Sequence, residues 1–137
     1  MSRYFADSFY WIALLYRRDT WHQQVSAFSQ TLTNDDALFT TDAVLTEFLA
    51  AVSTAGPYMR QRAADRVDEI LDDSRHHVIE MTRGRFLEGL ALYRARLDKA
   101  YSLTDCFSMN VMRREGLTEV LTNDHHFTQE GFRVLFS

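Results

Sequence analysis

The chain reads as an α/β protein on a mainly parallel sheet of about five strands. Three observations predict this class. Short apolar or β-branched runs recur along the chain, and each of the early ones is followed by a longer stretch whose apolar residues fall at helical spacing. The helical stretches are long enough to carry the chain back across a sheet, which parallel strands require. No repeat or low-complexity segment interrupts the alternation.

Taken in order, Tyr4-Phe5-Ala6 is a short strand and Asp7-Ser8 the junction to a helix carrying Phe9, Ile12, Ala13 and Tyr16 on one face. Asp19-Thr20 caps a second helix through Trp21, Val25, Phe28 and Leu32, which ends in the turn Asn34-Asp35-Asp36. Leu38 to Thr41 forms the second strand, and Asp42 caps a helix marked by Val44, Leu45, Phe48, Leu49 and Val52. Gly56-Pro57 ends that helix and starts another, rich in alternating charge, as far as Leu71. His76 to Met81 is the third strand, and Thr82 caps a long helix through Phe86, Leu90, Tyr93 and Leu97 to Asp98. Ser102 opens the next helix, Gly116 closes it, Glu119 to Thr122 is the fourth strand, and Phe132 to Phe136 the fifth.

At 137 residues, 46% hydrophobic and 25% charged, the sequence fits one ordinary globular domain. The single cysteine, Cys106, lies in an apolar helix, forms no internal disulfide and suits a reducing cytoplasm. No signal peptide or membrane span is visible. A net charge of -4 argues against general polyanion binding, which depends on many cations meeting phosphates. Of the 15 cations, Lys99 is the only lysine; the rest are arginines, suited to bidentate phosphate contacts.

Four acids carry the functional reading. Asp7 follows the first strand, Asp124 follows the fourth, Glu47 lies on the helix after the second strand, and Asp105 starts the helix that feeds the fourth. Each has a plainer role available: Asp7 as a helix cap, Asp105 as part of a capping box with Ser102, Asp124 as a turn residue. Glu47 resists such a role, because Ala43 and Val44 precede it by one turn, Ala50 and Ala51 follow by one turn, and no cation is within a turn. Together the four converge on the carboxyl edge of the sheet, where α/β proteins build sites. Carboxylates gathered there repel one another without a counterion, and hard divalent cations bind through oxygen. The chemistry implied is metal-assisted attack of water on a phosphodiester.

The segments Phe5-Ala6-Asp7-Ser8, Thr46-Glu47-Phe48, Ser102 to Cys106 and Leu121 to Phe127 resemble the PIN-domain nuclease family, and the last of them resembles the ribonuclease toxins of VapBC-type toxin–antitoxin pairs. The resemblance covers residues 1–137 as a single domain and implies a compact α/β/α sandwich, a Mg²⁺ or Mn²⁺ site, and endonucleolytic cleavage of single-stranded RNA regions. It also implies a homodimer held inactive by an antitoxin. Carried over by motif, Asp7, Glu47, Asp105 and Asp124 are the metal-binding and catalytic acids, with Ser8, Thr104 and Asn123 placed to orient them or a water.

The remaining polar residues have plainer readings. His125 and His126, beside Asp124, either contact RNA or metal or serve as loop or packing residues, and the second reading is favoured because no His/Cys pair has zinc-ligand spacing. His76 and His77, adjacent on a strand, face opposite sides. Arg17, Arg18, Arg83, Arg85, Arg113 and Arg114 either rim a phosphate track or are simply solvated. Two competing functions stay open: a noncatalytic binding module, and a receiver-type phospho-acceptor domain. The second needs a lysine late in the chain, and Lys99 lies before a helix.

Overall fold

The computed structural model describes residues 1–137. Its elements are β1 (Arg3–Ala6), α1 (Ser8–Leu15), α2 (His22–Thr31), β2 (Ala37–Thr41), α3 (Asp42–Val52), α4 (Pro57–Asp72), β3 (His76–Ile79), α5 (Arg83–Ala95), α6 (Leu103–Glu115), β4 (Glu119–Leu121), α7 (His126–Gln129) and β5 (Arg133–Val134). The five strands form one sheet in the order β3-β2-β1-β4-β5, and every pairing is parallel. After β1 the chain adds strands on one side, then crosses back to add β4 on the other. The strand order therefore reverses between β1 and β4, and a crevice opens at their carboxyl ends.

Both faces of the sheet are covered. Tyr4 points to one face and meets Phe28 of α2, ring centroids 5.2 Å apart. Its neighbour Arg3 points to the other and donates to the Glu115 carbonyl at the end of α6, at 3.0 Å. This alternation is the period of a strand, and it gives the helix–sheet–helix layering. The two central strands are the driest part, with Phe5, Ala6, Val120 and Leu121 fully buried. His76 and His77 do face opposite ways, His76 against Trp11 of α1 and His77 stacked on Phe39 of β2.

Local chemistry shifts several boundaries. α2 begins at His22 because Asp19 spends its carboxylate on a tight turn, accepting the Trp21 N–H at 2.8 Å, and so does not cap the helix. Thr41, not Asp42, caps α3, its hydroxyl accepting the Val44 N–H at 3.1 Å; Asp42 reaches across to the Met81 N–H instead, also at 3.1 Å. Thr82 caps α5 as expected, but the helix stops at Ala95 rather than Asp98. The last strand is only Arg133–Val134, because Phe132 and Phe136 on either side of it turn into the core. Phe136 closes against Phe9 and Phe28 at 5.8 and 5.7 Å. α5 lies against α6, where Gly89 leaves room for the ring of Phe107. No helix is long and apolar enough to cross a membrane.

Candidate functional site

The crevice between β1 and β4 is an open cleft of about 420 Å³, and all four sequence-predicted acids line it, together with Ser8 and Asn123. Each is held by a different element. Asp7 follows directly on β1 and occupies the N-cap position of α1, yet its side chain makes no capping bond. It turns toward β4 instead, where the buried Thr122 hydroxyl donates to Oδ2 at 2.9 Å. The same hydroxyl accepts the Asp124 N–H at 3.2 Å, so one threonine holds both acids in register. Glu47 projects from α3 and accepts the Ser8 hydroxyl at 2.5 Å. Asp105 sits in the first turn of α6 in a complete capping box, accepting from the Ser102 N–H while its own N–H donates to Ser102 Oγ, both at 3.0 Å. The capping role of Asp105 and its place in the cleft are thus the same geometry.

Two more polar side chains join this set. Asp19 lines the cleft, brought back by the turn after α1. His126, at the start of α7, lies with Nδ1 3.2 Å from Asp124 Oδ1 and 3.9 Å from Asp105 Oδ2. Its backbone N–H donates to Asp124 Oδ1 at 2.9 Å. The loop or packing role expected of His126 therefore gives way to a place beside two acids. Nothing in the Asp-His-His-Phe spacing signals which imidazole turns inward; the turn of helix does that. Thr104 faces a neighbouring hollow shared with Glu47 and Met81, and its side chain bonds to none of the acids.

The electrostatics are one-sided. Five carboxylates line the cleft and no lysine or arginine does. Burial pushes the Asp7 carboxyl from its ordinary 3.8 up to about 7, with the charges of Asp105 and Glu47 adding to the rise and the Thr122 hydrogen bond opposing it. Burial, with Asp124 and Glu47 nearby, also raises Asp105. Asp7 is only 6% exposed, and its Oδ1 has no hydrogen-bond partner. A buried carboxylate oxygen without a donor, among other carboxylates, is unfavourable in isolation. An all-oxygen set of this kind fits a hard divalent cation.

Arg113 and Arg114 are elsewhere, at the far end of α6, where they pair with Glu130 and Glu88. Arg83 lies over the ring of Phe86, and Arg85 donates to the Glu80 carbonyl. Arg17 and Arg18 are exposed on the turn whose Asp19 reaches the cleft. A second cavity, about 180 Å³, lies between α1, α2 and the end of α4, but its charged groups answer one another, Arg75 to Asp73 at 3.0 Å and Arg66 to Glu69 at 3.2 Å.

Residues 4–132 match the sequence profile of the PIN domain. The chain belongs to the PIN-domain family. A search of the curated proteins finds no significant match. Among solved structures, this PIN domain is similar to VapC20 of Mycobacterium tuberculosis, described as a toxin cleaving the sarcin–ricin loop, with a TM-score of 0.81 at 22% identity over 93% of this chain and 95% of that one. FitAcB of Neisseria gonorrhoeae gives 0.69 at 14% identity, over 100% of this chain and 97% of the other. VapBC2 of Rickettsia felis, solved bound to a DNA fragment from its promoter, gives 0.63 at 14% identity, over 98% and 97%. At these identities the likeness is one of fold, and the PIN domain has the expected α/β/α architecture across nearly its full length.

Proposed function

We propose that this PIN domain is a metal-dependent endoribonuclease that hydrolyses phosphodiester bonds in single-stranded RNA regions, acting as the toxin of a toxin–antitoxin pair. PIN domains are nucleases as a family, which supports the reaction class. The observation that carries the reading is Asp7: a buried carboxylate with one oxygen unpartnered, in a cleft with four further acids and no lysine or arginine.

In this reading Asp7, Glu47, Asp105 and Asp124 hold Mg²⁺ or Mn²⁺. The cation supplies Lewis acidity toward a phosphoryl oxygen and toward the attacking water. The chain's own residues supply position. Thr122 fixes the rotation of Asp7 so that Oδ1 stays free, Ser8 holds Glu47, and the capping box holds Asp105 rigid at a helix start. Asn123, on the cleft wall, orients substrate or water. Arg17 and Arg18 make no ion pair within the chain and are exposed just before the cleft-lining Asp19; in this reading their guanidinium groups meet backbone phosphates. Partners in this reading are the RNA substrate, a cognate antitoxin and a second copy of the chain; Leu87, Tyr93 and Leu97, all more than two-fifths exposed along and just beyond α5, offer an apolar strip for the last of these. VapC20 is a toxin by its description, which supports the toxin assignment.

The test is cleavage of a mixed pool of structured and single-stranded RNAs by the partner-free protein, with Mg²⁺, with Mn²⁺ and with EDTA. Cutting that needs metal and disappears in Asp7→Ala and Asp105→Ala is expected. Undiminished cutting in both variants, or in EDTA, refutes the assignment. Metal binding by a folded protein that cuts no RNA in the pool favours a binding module.

A further inference from the structure

Beyond the four acids, we infer that His126 is a direct metal ligand through Nδ1, and that this nitrogen donor makes the site select a first-row divalent transition ion over Mg²⁺. The inference rests on the proposal that the acidic cleft holds a divalent cation.

The first observation is geometric. Asp105, Asp124 and His126 each offer a donor atom, and these atoms lie within 4.8 Å of one another. Adjacent ligands of a six-coordinate ion with bonds near 2.1 Å sit about 3 Å apart. Nδ1 and Asp124 Oδ1, at 3.2 Å, have close to that separation.

The second observation is that Nδ1 is buried from solvent and has no hydrogen-bond partner, although a carboxylate oxygen stands 3.2 Å away. An N–H aimed at that oxygen would satisfy both. Proximity without alignment is what two lone-pair donors sharing one cation require. The cleft lined by the imidazole's neighbours Asp105 and Asp124 holds another unpartnered group, Asp7 Oδ1, on a residue 6% exposed.

The third observation is that the imidazole is held in place. Tyr101, 5% exposed, sets its ring edge-on at 5.5 Å, and the Tyr101 hydroxyl donates to Glu130, itself fixed by Arg96 and Arg113. The backbone of His126 is tied to Asp124. A ligand oriented from behind in this way loses little freedom on binding. Oxygen-only sets suit Mg²⁺, whereas imidazole shifts preference toward transition ions.

The probe is Mn²⁺ added to the metal-free protein, read by electron spin-echo modulation, which detects a directly bonded ¹⁴N nucleus. Modulation is expected in the wild type and in His125→Gln, and absent in His126→Gln. Calorimetry should show about a tenfold or larger loss of Mn²⁺ affinity in His126→Gln, with Mg²⁺ affinity changed far less. Bound Mn²⁺ without nitrogen modulation, modulation that survives in His126→Gln, or equal losses for both ions would overturn the inference while leaving the acidic site intact; equal losses are the signature of an imidazole that only positions the neighbouring acids. No Mn²⁺ binding at all would overturn the metal site as well.

Discussion

Replacing Asp7 with Asn should stabilise the metal-free protein in alkaline solution while abolishing its chemistry. Burial is the leading cause of the rise in the Asp7 carboxyl from 3.8 to about 7, and at about 1.4 kcal/mol per pKa unit ionising it in the folded state costs about 4 kcal/mol. The sign follows from proton counting. Between those two values the folded protein keeps a proton that the unfolded chain gives up, so stability falls as pH rises through this window and levels off above it. Asn cannot ionise. Its amide can still accept from Thr122, but its NH₂ would occupy the position of Oδ1, which has no partner, at a cost of about 1–2 kcal/mol. The net gain expected above pH 8 is about 2 kcal/mol, or some 7 °C for a chain of this length. Below pH 4 the gain should vanish or change sign.

The assay is thermal unfolding of both proteins in EDTA from pH 4 to pH 9, plotted as the difference in Tm. Taking the difference cancels other titrating groups, including His76, whose depressed pKa works in the opposite direction. A difference that does not grow between pH 5 and pH 8, or a variant less stable than wild type at pH 8, refutes the account. Added Mn²⁺ should raise the wild-type Tm and leave that of the variant nearly unchanged, since only the wild type retains the full set of acids.

Two further outcomes test the frame around the cleft. Glu130 accepts from Arg96, Arg113 and Tyr101 at 2.6 to 2.9 Å, which holds its carboxyl down at about 2 instead of the usual 4.5; Glu130→Gln should therefore lower stability by about 2 kcal/mol at neutral pH, less than for a fully buried pair because both arginines are partly exposed, and the two proteins should converge in urea titrations as pH falls through 4.5 toward 2. Gly89→Ala should lower Tm even though Ala favours helix by about 1 kcal/mol, because the added methyl enters the ring of Phe107 and overpacking costs about 1–3 kcal/mol; an unchanged or higher Tm would show that α5 moves away freely.

How much of this was legible in the sequence differs from residue to residue. The alternation of strands and helices, the Gly116 stop and the Ser102–Asp105 capping box are local, and periodicity and cap chemistry reveal them. The exchange of roles between Thr41 and Asp42 was not legible, because adjacent Thr and Asp are both good caps and only the distant Met81 N–H decides between them. α7 has four residues, too few for a helical period to emerge. The four acids could be picked out from their positions relative to strands, but Thr122, which supports two of them, reads as an ordinary β-branched strand residue until β4 lies beside β1. Asp19 looked like a cap, and the chain reversal that delivers it to the cleft depends on the Trp21 turn. Arg113 and Arg114, candidates for a phosphate track, belong to an ion-pair network at the opposite end of their helix.

The bond between Thr122 and Asp7 joins residues 115 positions apart. It ties the end of the first strand to the end of the fourth, so the cleft has an order of manufacture. During synthesis β1, with Asp7 at its end, leaves the ribosome long before β4 and waits without its partner; only the docking of β4 brings Thr122, Asp124 and His126 to the first strand. A chain truncated before residue 119 keeps Asp7 and Glu47 but loses that support, and a stalled nascent chain is in the same condition. Whatever chemistry the cleft performs is therefore withheld until β4 has emerged and docked beside β1.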